Sequence, residues 1–182
     1  MEFYERASGA RLHSSYIRPG GVSQDISLGL LDDILLFCDS FFIRLQELDD
    51  LLTRNRIWKQ RLVDVGTVSY SESFCLGFSG VLLRGSGALW DLRVSNPYDS
   101  YDDFNFNVPV GSQGDCYDRY LIRIEEMRQS LNIIKQCIQK LPTGPCQTGN
   151  SKYVAPEKST IKLSMEALIH HFKYFSSGFN VD

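Results

Sequence analysis

The chain has 182 residues, enough for one domain or for part of a larger one. Apolar residues make up 43% and charged residues 23%, the balance of a chain that buries a core, which excludes intrinsic disorder. A net charge of -3 and a pI near 5.6 exclude a bulk electrostatic grip on nucleic acid, and no run approaches the ~18 apolar residues of a membrane span.

In chain order, the first thirteen residues read as the end of a helix. Phe3, Ala7, Ala10 and Ser14 fall on one helical face. Nothing caps this helix at its start, and Arg18-Pro19-Gly20-Gly21 is a strong breaker. The opening residues Met1 to Arg6 show neither the apolar run of a secretory signal nor an acid-poor transit composition. A long helix is predicted from about Leu28 to Thr53. Its apolar stripe is Leu31, Ile34, Cys38, Phe41, Leu45, Leu48 and Leu52, with Asp32, Asp39, Arg44 and Asp50 on the other face.

A basic cluster follows at Arg54, Arg56, Lys59 and Arg61. Ser69 and Glu72 read as a capping box that opens a short helix, which Gly77-Phe78-Ser79-Gly80 ends. A second short helix leads to Arg84-Gly85-Ser86-Gly87. Residues 94–118 carry five Asp and no Lys or Arg. The alternation in Phe104-Asn105-Phe106-Asn107-Val108 predicts a short strand or extended segment. The clearest helix runs from about Gly114 to Leu141, with Tyr117, Tyr120, Ile124, Met127, Leu131, Ile134, Ile138 and Leu141 along one stripe. Residues 142–158 read as a polar loop. A last helix is expected from about Thr160 to Phe175, with Ile161, Met165, Leu168, Ile169 and Phe172 inward. The fold class is mainly α, a bundle of long antiparallel helices with little strand.

The chemistry that the residues could carry is sparse. The five cysteines are Cys38, Cys75, Cys116, Cys137 and Cys146. Their successive gaps of 37, 41, 21 and 9 supply no close pair for zinc. An odd, scattered set is no disulfide framework. With no Asn-x-Ser/Thr acceptor in the chain, it fits a reducing compartment. Neighbouring His170 and His171 point about 100° apart on a helix and read as structural or interfacial. No phosphate loop, dinucleotide fingerprint or nucleophile elbow occurs, so the glycines of 77–87 read as tight turns. The cluster of Asp99, Asp102 and Asp103 reads as a solvated loop or a docking face for a basic partner. His13 stands beside Arg11, just before the Arg-Pro-Gly-Gly break. It is either a helix-end His bonded to carbonyls or a group that changes charge near neutrality.

Several blocks, taken in order, carry a resemblance. They are Tyr4-Glu5-Arg6-Ala7-Ser8-Gly9-Ala10-Arg11-Leu12-His13, Tyr16-Ile17-Arg18-Pro19-Gly20-Gly21-Val22, and Asn55-Arg56-Ile57-Trp58-Lys59-Gln60-Arg61. They continue with Gly77-Phe78-Ser79-Gly80-Val81-Leu82-Leu83-Arg84-Gly85-Ser86-Gly87, Trp90-Asp91-Leu92-Arg93, Gly114-Asp115-Cys116-Tyr117-Asp118-Arg119-Tyr120, Glu125-Glu126-Met127-Arg128-Gln129-Ser130, and Leu168-Ile169-His170-His171-Phe172-Lys173. The ordered set resembles the quinone-site subunits of respiratory complex I, the 49 kDa or subunit 7 family of NADH dehydrogenase. That family is similar to the large subunit of nickel–iron hydrogenases. One departure is Ile26-Ser27, where the family usually has Leu-Pro.

The resemblance implies that residues 1–182 are the central part of one larger hydrogenase-like helical subunit, with no internal domain boundary. It implies a core subunit of proton-translocating NADH:ubiquinone oxidoreductase that helps form the ubiquinone-reduction site. The terminal [4Fe–4S] cluster would sit on an adjacent subunit, and NADH and FMN elsewhere in the complex. Partners would be the cluster-bearing subunit, other peripheral-arm subunits and ubiquinone. The chain would lie in the peripheral arm at the matrix side of the mitochondrial inner membrane, or at the cytoplasmic membrane face of a bacterium. The His, Tyr and Asp that hold the quinone headgroup in the family lie upstream of Met1, so the isolated chain is expected to be inactive. His13 matches the family His that takes up a proton when the terminal cluster is reduced, and Arg18, Gly20 and Gly21 are expected to shape the same neighbourhood. Cys116, Ile122 and Cys137 match positions that are all Cys in some mitochondrial relatives. Here the middle one is Ile, which leaves Cys116 and Cys137 as weak candidates for a cluster that needs four thiolates. A redox-inactive helical scaffold derived from the same family, or a hydrogenase-like subunit with its nickel thiolates outside this sequence, are the competing classes.

Overall fold

The computed structural model describes residues 1–150 and 153–174. It is mainly α-helical, as the two long stripes predict, and a two-strand hairpin is its only sheet among the described residues. The chain divides into two compact units, residues 1–34 with 142–182, and residues 35–141.

In the first unit, α1 spans Glu2–Ser8 and stops sooner than the sequence suggests. Gly9 takes the left-handed conformation at φ +77° and donates its N–H to Glu5 O at 2.7 Å. This is a glycine stop that a β-carbon would strain. Ala10 to Ser14 therefore leave the helix, and His13 does not close one. Arg6 meets Asp33 at 2.6 Å, tying α1 to the first turns of α2 (Leu30–Thr53). The two-residue strands β1 (Ile17–Arg18) and β2 (Gly21–Val22) follow α1.

The single helix expected from Thr160 is two helices among the described residues, α8 (Lys158–Ile161) and α9 (Met165–Phe172). Ser164 accepts from the Ala167 N–H at 3.4 Å and starts α9 afresh, a competition that Ser wins at helix starts. Met165, Ile169 and Phe172 are exposed rather than inward, and Phe175 lies outside the described residues.

In the second unit, α2 continues beside α7 (Cys116–Lys140). Asp39 pairs with Lys135 at 2.7 Å, Asp49 with Arg128 at 2.9 Å, and Thr53 Oγ1 lies 3.2 Å from Tyr120 Oη. Partners descend one helix as they ascend the other, so the two run antiparallel. The expected stripes supply Cys38 and Leu45 from α2 and Ile124 and Leu131 from α7; Ile122, off the expected stripe, is buried as well, while Ile134 and Leu141 on it are exposed. Each fully buried aliphatic side chain contributes ~1.5–3 kcal/mol. Leu48, placed inward by its spacing, is exposed, as are Leu36, Ile43 and Leu51 on the outer side.

Between the long helices lie α3 (Arg56–Leu62), α4 (Tyr70–Cys75), α5 (Gly80–Gly85) and α6 (Leu92–Ser95). The Ser69–Glu72 capping box is present in both directions. At α6, Asp91 is buried and grips Arg93 with both carboxylate oxygens. These hydrogen bonds hold its carboxyl below the usual range. Arg84, itself buried, gives its guanidinium to Glu126 and to Trp90 O.

The segment 104–108 is extended, yet it joins no strand. The side chain of Gln136 accepts from Asn105 N at 2.9 Å and donates to Asn105 O at 2.7 Å. Gln129 accepts from Asn107 N at 3.1 Å. Glutamine amides on α7 thus meet alternate backbone groups where a neighbouring strand would.

Asp115 anchors the start of α7. It is buried and accepts from Asp118 N at 2.7 Å and from Asp64 N at 3.0 Å. Asp115→Ala removes a helix cap and orphans a backbone donor, with an expected loss of about 2 kcal/mol read as a lower urea midpoint. Asp39→Ala, at an exposed pair, should change stability by under ~0.5 kcal/mol. Equal midpoints for the two variants would refute the anchoring role.

Candidate functional site

The residues singled out between His13 and Gly21 all belong to the first unit. Ile17 pairs with Val22 and Arg18 with Gly21, so Pro19-Gly20 forms the turn of a tight hairpin. Pro fixes the first turn position, and Gly20 at φ +89° supplies the second, a conformation open chiefly to glycine. The sequence predicts only a break here; the structure makes it a built element.

A distant segment clamps that hairpin. Val22 N donates to Cys146 O at 3.1 Å, Thr148 N donates to Gly20 O at 2.8 Å, and Gln147 Nε2 donates to Ser23 O at 3.0 Å. Gly21 bridges to Gln147. A β-carbon at Gly21 would stand 2.3 Å from Cys146 O, and one at Gly20 would stand 2.7 Å from Val154 Cγ2. Both glycines are needed because the Cys146–Gln147 backbone lies directly against Gly21 and the side chains of Thr148 and Val154 lie against Gly20. Residues 142–158 read as loop in the sequence. Their clamping role had no local signal, because the contact spans 125 residues from Val22 to Gln147.

The clamp leaves Ile17, Arg18 and Pro19 exposed. Arg18 Nε donates to Ser15 O at 2.8 Å. Its terminal nitrogens hydrogen-bond to no described residue. A cavity of about 500 Å³ opens here, lined in part by Ser15, Arg18, Gln147, Tyr153 and Tyr174. A second, apolar cavity of about 470 Å³ is lined by Phe3, Ala7, Tyr16, Leu30, Leu31 and Ile34. Phe3 and Ala7 are thus on one face, as their spacing predicts.

His13 lies in the exposed bend between α1 and β1 and makes no hydrogen bond or ion pair with any described residue. The carbonyl-bonded helix-end reading does not hold for it. It does not line the Arg18 cavity, although only three residues separate it from Ile17.

The cysteines are all free. Cys116 begins α7 and Cys137 lies near its end, about 31 Å away along one helix, too far to share a cluster. Among the described residues no three His, Cys, Asp or Glu side chains gather as metal ligands would. His170 and His171 are adjacent on α9.

Gly21→Ala should push the 146–148 segment off the hairpin. Amide exchange at Val22 and Thr148 is then expected to quicken by about tenfold or more. Exchange unchanged at both amides would show that the clamp does not depend on the missing β-carbon.

The family model described as "Respiratory-chain NADH dehydrogenase, 49 Kd subunit" matches residues 1–182. A protein of Acanthamoeba castellanii named NADH-ubiquinone oxidoreductase 49 kDa subunit is 61% identical over 181 residues, covering 100% of this chain and 45% of its own length. The Reclinomonas americana protein of the same name is 60% identical, with 100% of this chain and 46% of its own length covered. An NADH-quinone oxidoreductase subunit of Orientia tsutsugamushi (strain Ikeda) is also 60% identical, with 100% of this chain and 46% of its own length covered. The chain therefore spans about half the length of the curated relatives it matches. It belongs to the family of 49 kDa subunits of the respiratory-chain NADH dehydrogenase.

Proposed function

We propose that the chain works as part of proton-translocating NADH:ubiquinone oxidoreductase, at the interface where a terminal [4Fe–4S] cluster on a neighbouring subunit meets ubiquinone. The observation that carries this reading is the family match over all 182 residues. The imidazole of His13, exposed and bonded to no described residue, lies close in sequence to a hairpin braced by Gly20 and Gly21 and supports it.

In this reading His13 is the proton acceptor of the interface. The cluster supplies one-electron chemistry. The negative charge added on its reduction raises the pKa of a nearby imidazole, so one ring nitrogen takes up a proton. Arg18 and the hairpin turn shape the surface presented to the neighbour. Cys116 and Cys137 hold no cluster between them. The residues that grip the quinone headgroup, the flavin and the NADH site lie outside this chain, and the chain alone has no NADH:quinone activity. No helix among the described residues is long and apolar enough to cross a membrane. The proposed place is the peripheral arm, at the matrix side of the mitochondrial inner membrane or the cytoplasmic membrane face of a bacterium.

The test is a His13→Ala substitution in the assembled complex, with the terminal cluster's midpoint potential titrated across pH 6–8. Proton uptake coupled to one electron lowers the potential by about 59 mV per pH unit between the imidazole's two pKa values. The variant should lose most of that slope. A slope equal to that of the unaltered complex would overturn the role of His13.

A further inference from the structure

The basic cluster at Arg54, Arg56, Lys59 and Arg61 is used neither by the core nor by the proposed quinone interface. These four cations fall within eight residues that contain no acid, in a chain whose net charge is -3. Three of them lie on α3. That helix is fixed from one side. The Asn55 side chain caps it by accepting from Ile57 N at 2.9 Å, and Trp58 meets the Tyr120 ring edge-on at 5.6 Å. At 100° per residue, Trp58 and Leu62 share the inward side. Arg56, Gln60, Ile57 and Arg61 then follow one another across an outer arc of roughly 140°.

Every residue of that outer arc is exposed, and Ile57 is 66% exposed. Arg56 and Arg61 form no hydrogen bond or ion pair with a described residue. Lys59 lies 5.9 Å over the Tyr117 ring, and Arg54 has only a solvent-screened pair with Asp50 at 3.1 Å. Arg84, Arg93 and Arg128 of the same unit each meet a carboxylate. Arginine forks match carboxylates in two parallel hydrogen bonds, and arginine beside an apolar anchor is the composition of protein interfaces. A seven-residue helix with one exposed isoleucine lacks the broad apolar face by which surface helices enter lipid.

We propose that the outer face of α3 docks an acidic segment of a neighbouring subunit, with Arg56 and Arg61 taking carboxylates and Ile57 seated between them. The inference rests on the reading of the chain as a subunit of the respiratory complex. It adds to that reading a second contact surface, in the unit that does not carry His13.

The test uses the intact complex. Carbodiimide joins an amine to a carboxylate with no spacer, so Lys59 and the amines introduced by Arg56→Lys and Arg61→Lys report the groups they touch. The expected product is a peptide from 56–62 joined to Asp or Glu of another subunit. Joining only to Asp or Glu of the same subunit overturns the proposal. Double reversal, Arg56→Glu with Arg61→Glu, should lower the amount of chain in the complex by about tenfold or more, while the double Lys variant stays within about twofold. If the unaltered chain is present in the complex and reversal leaves its amount unchanged, the docking proposal fails and the family reading stands. If the unaltered chain is absent from any NADH-oxidising complex, both fail. If unaltered complex binds phosphatidylserine vesicles and the double reversal abolishes that binding without loss of assembly, the partner is a lipid surface and the proposal is overturned.

Discussion

The second unit depends on how closely the end of α5 can approach the start of α7. A β-carbon on Gly85 would stand 3.0 Å from Arg119 Cγ, one on Gly111 would stand 2.9 Å from Gly85 O, and one on Gly114 would stand 2.3 Å from Val68 O. The space that these residues leave is filled by backbone hydrogen bonds. Gly111 N donates to Arg84 O, Gly114 N to Gly85 O, Val68 N to Gly114 O, and Cys116 N to Val65 O. Three chain segments, 65–68, 84–85 and 111–116, are thus tied by main-chain groups. Larger residues would break several of these bonds together, because none of the donors has an alternative partner inside a regular helix.

That close approach decides where the charges go. With α5 drawn against α7, Arg84 is buried, and burial pushes its guanidinium pKa down from the ordinary arginine value. Its pairing with Glu126 and its bond to Trp90 O offset the desolvation. Asp115, buried at the same junction, caps α7 and holds Asp64 at φ +58°, a left-handed conformation that Asp tolerates better than most residues. Asp49, farther along α2, is held below the usual carboxylate range by its hydrogen bond from Thr53, with Arg128 adding to the effect. Asp49 with Arg128 and Thr53 with Tyr120 therefore tie the C-terminal part of α2 to α7, while Cys38, Leu45 and Leu131 supply the buried apolar side chains.

The parts legible in the sequence are those specified locally. The 3/4 spacing gives α2 and α7 to within a few residues, and Ser69 with Glu72 marks the start of α4. Elsewhere a single residue interrupts a valid period. Gly9 stops α1 although Ala10 and Ser14 continue its face, and Ser164 restarts a helix inside one apolar pattern. Segment 104–108 has the alternation of a strand, but its partners are glutamine side chains on α7, which no pairing rule anticipates. At the candidate site, Arg18-Pro19-Gly20-Gly21 is visible as a turn signal. Its second half, Cys146 to Thr148, carries no local mark, since the contact is made by main-chain groups far away in sequence. His13 is exposed and bonded to no described residue because the glycine stop ends α1 before it, which could not be read from residue types.

The central claim is that this chain works inside a respiratory NADH-oxidising complex. The most direct test separates membranes on a native gel, stains for NADH oxidation, and probes a denaturing second dimension with an antibody against the α7 peptide, residues 116–140. The account predicts that the signal falls beneath the NADH-oxidising band. A signal found only away from that band would contradict the account and favour a helical scaffold that has left the respiratory chain.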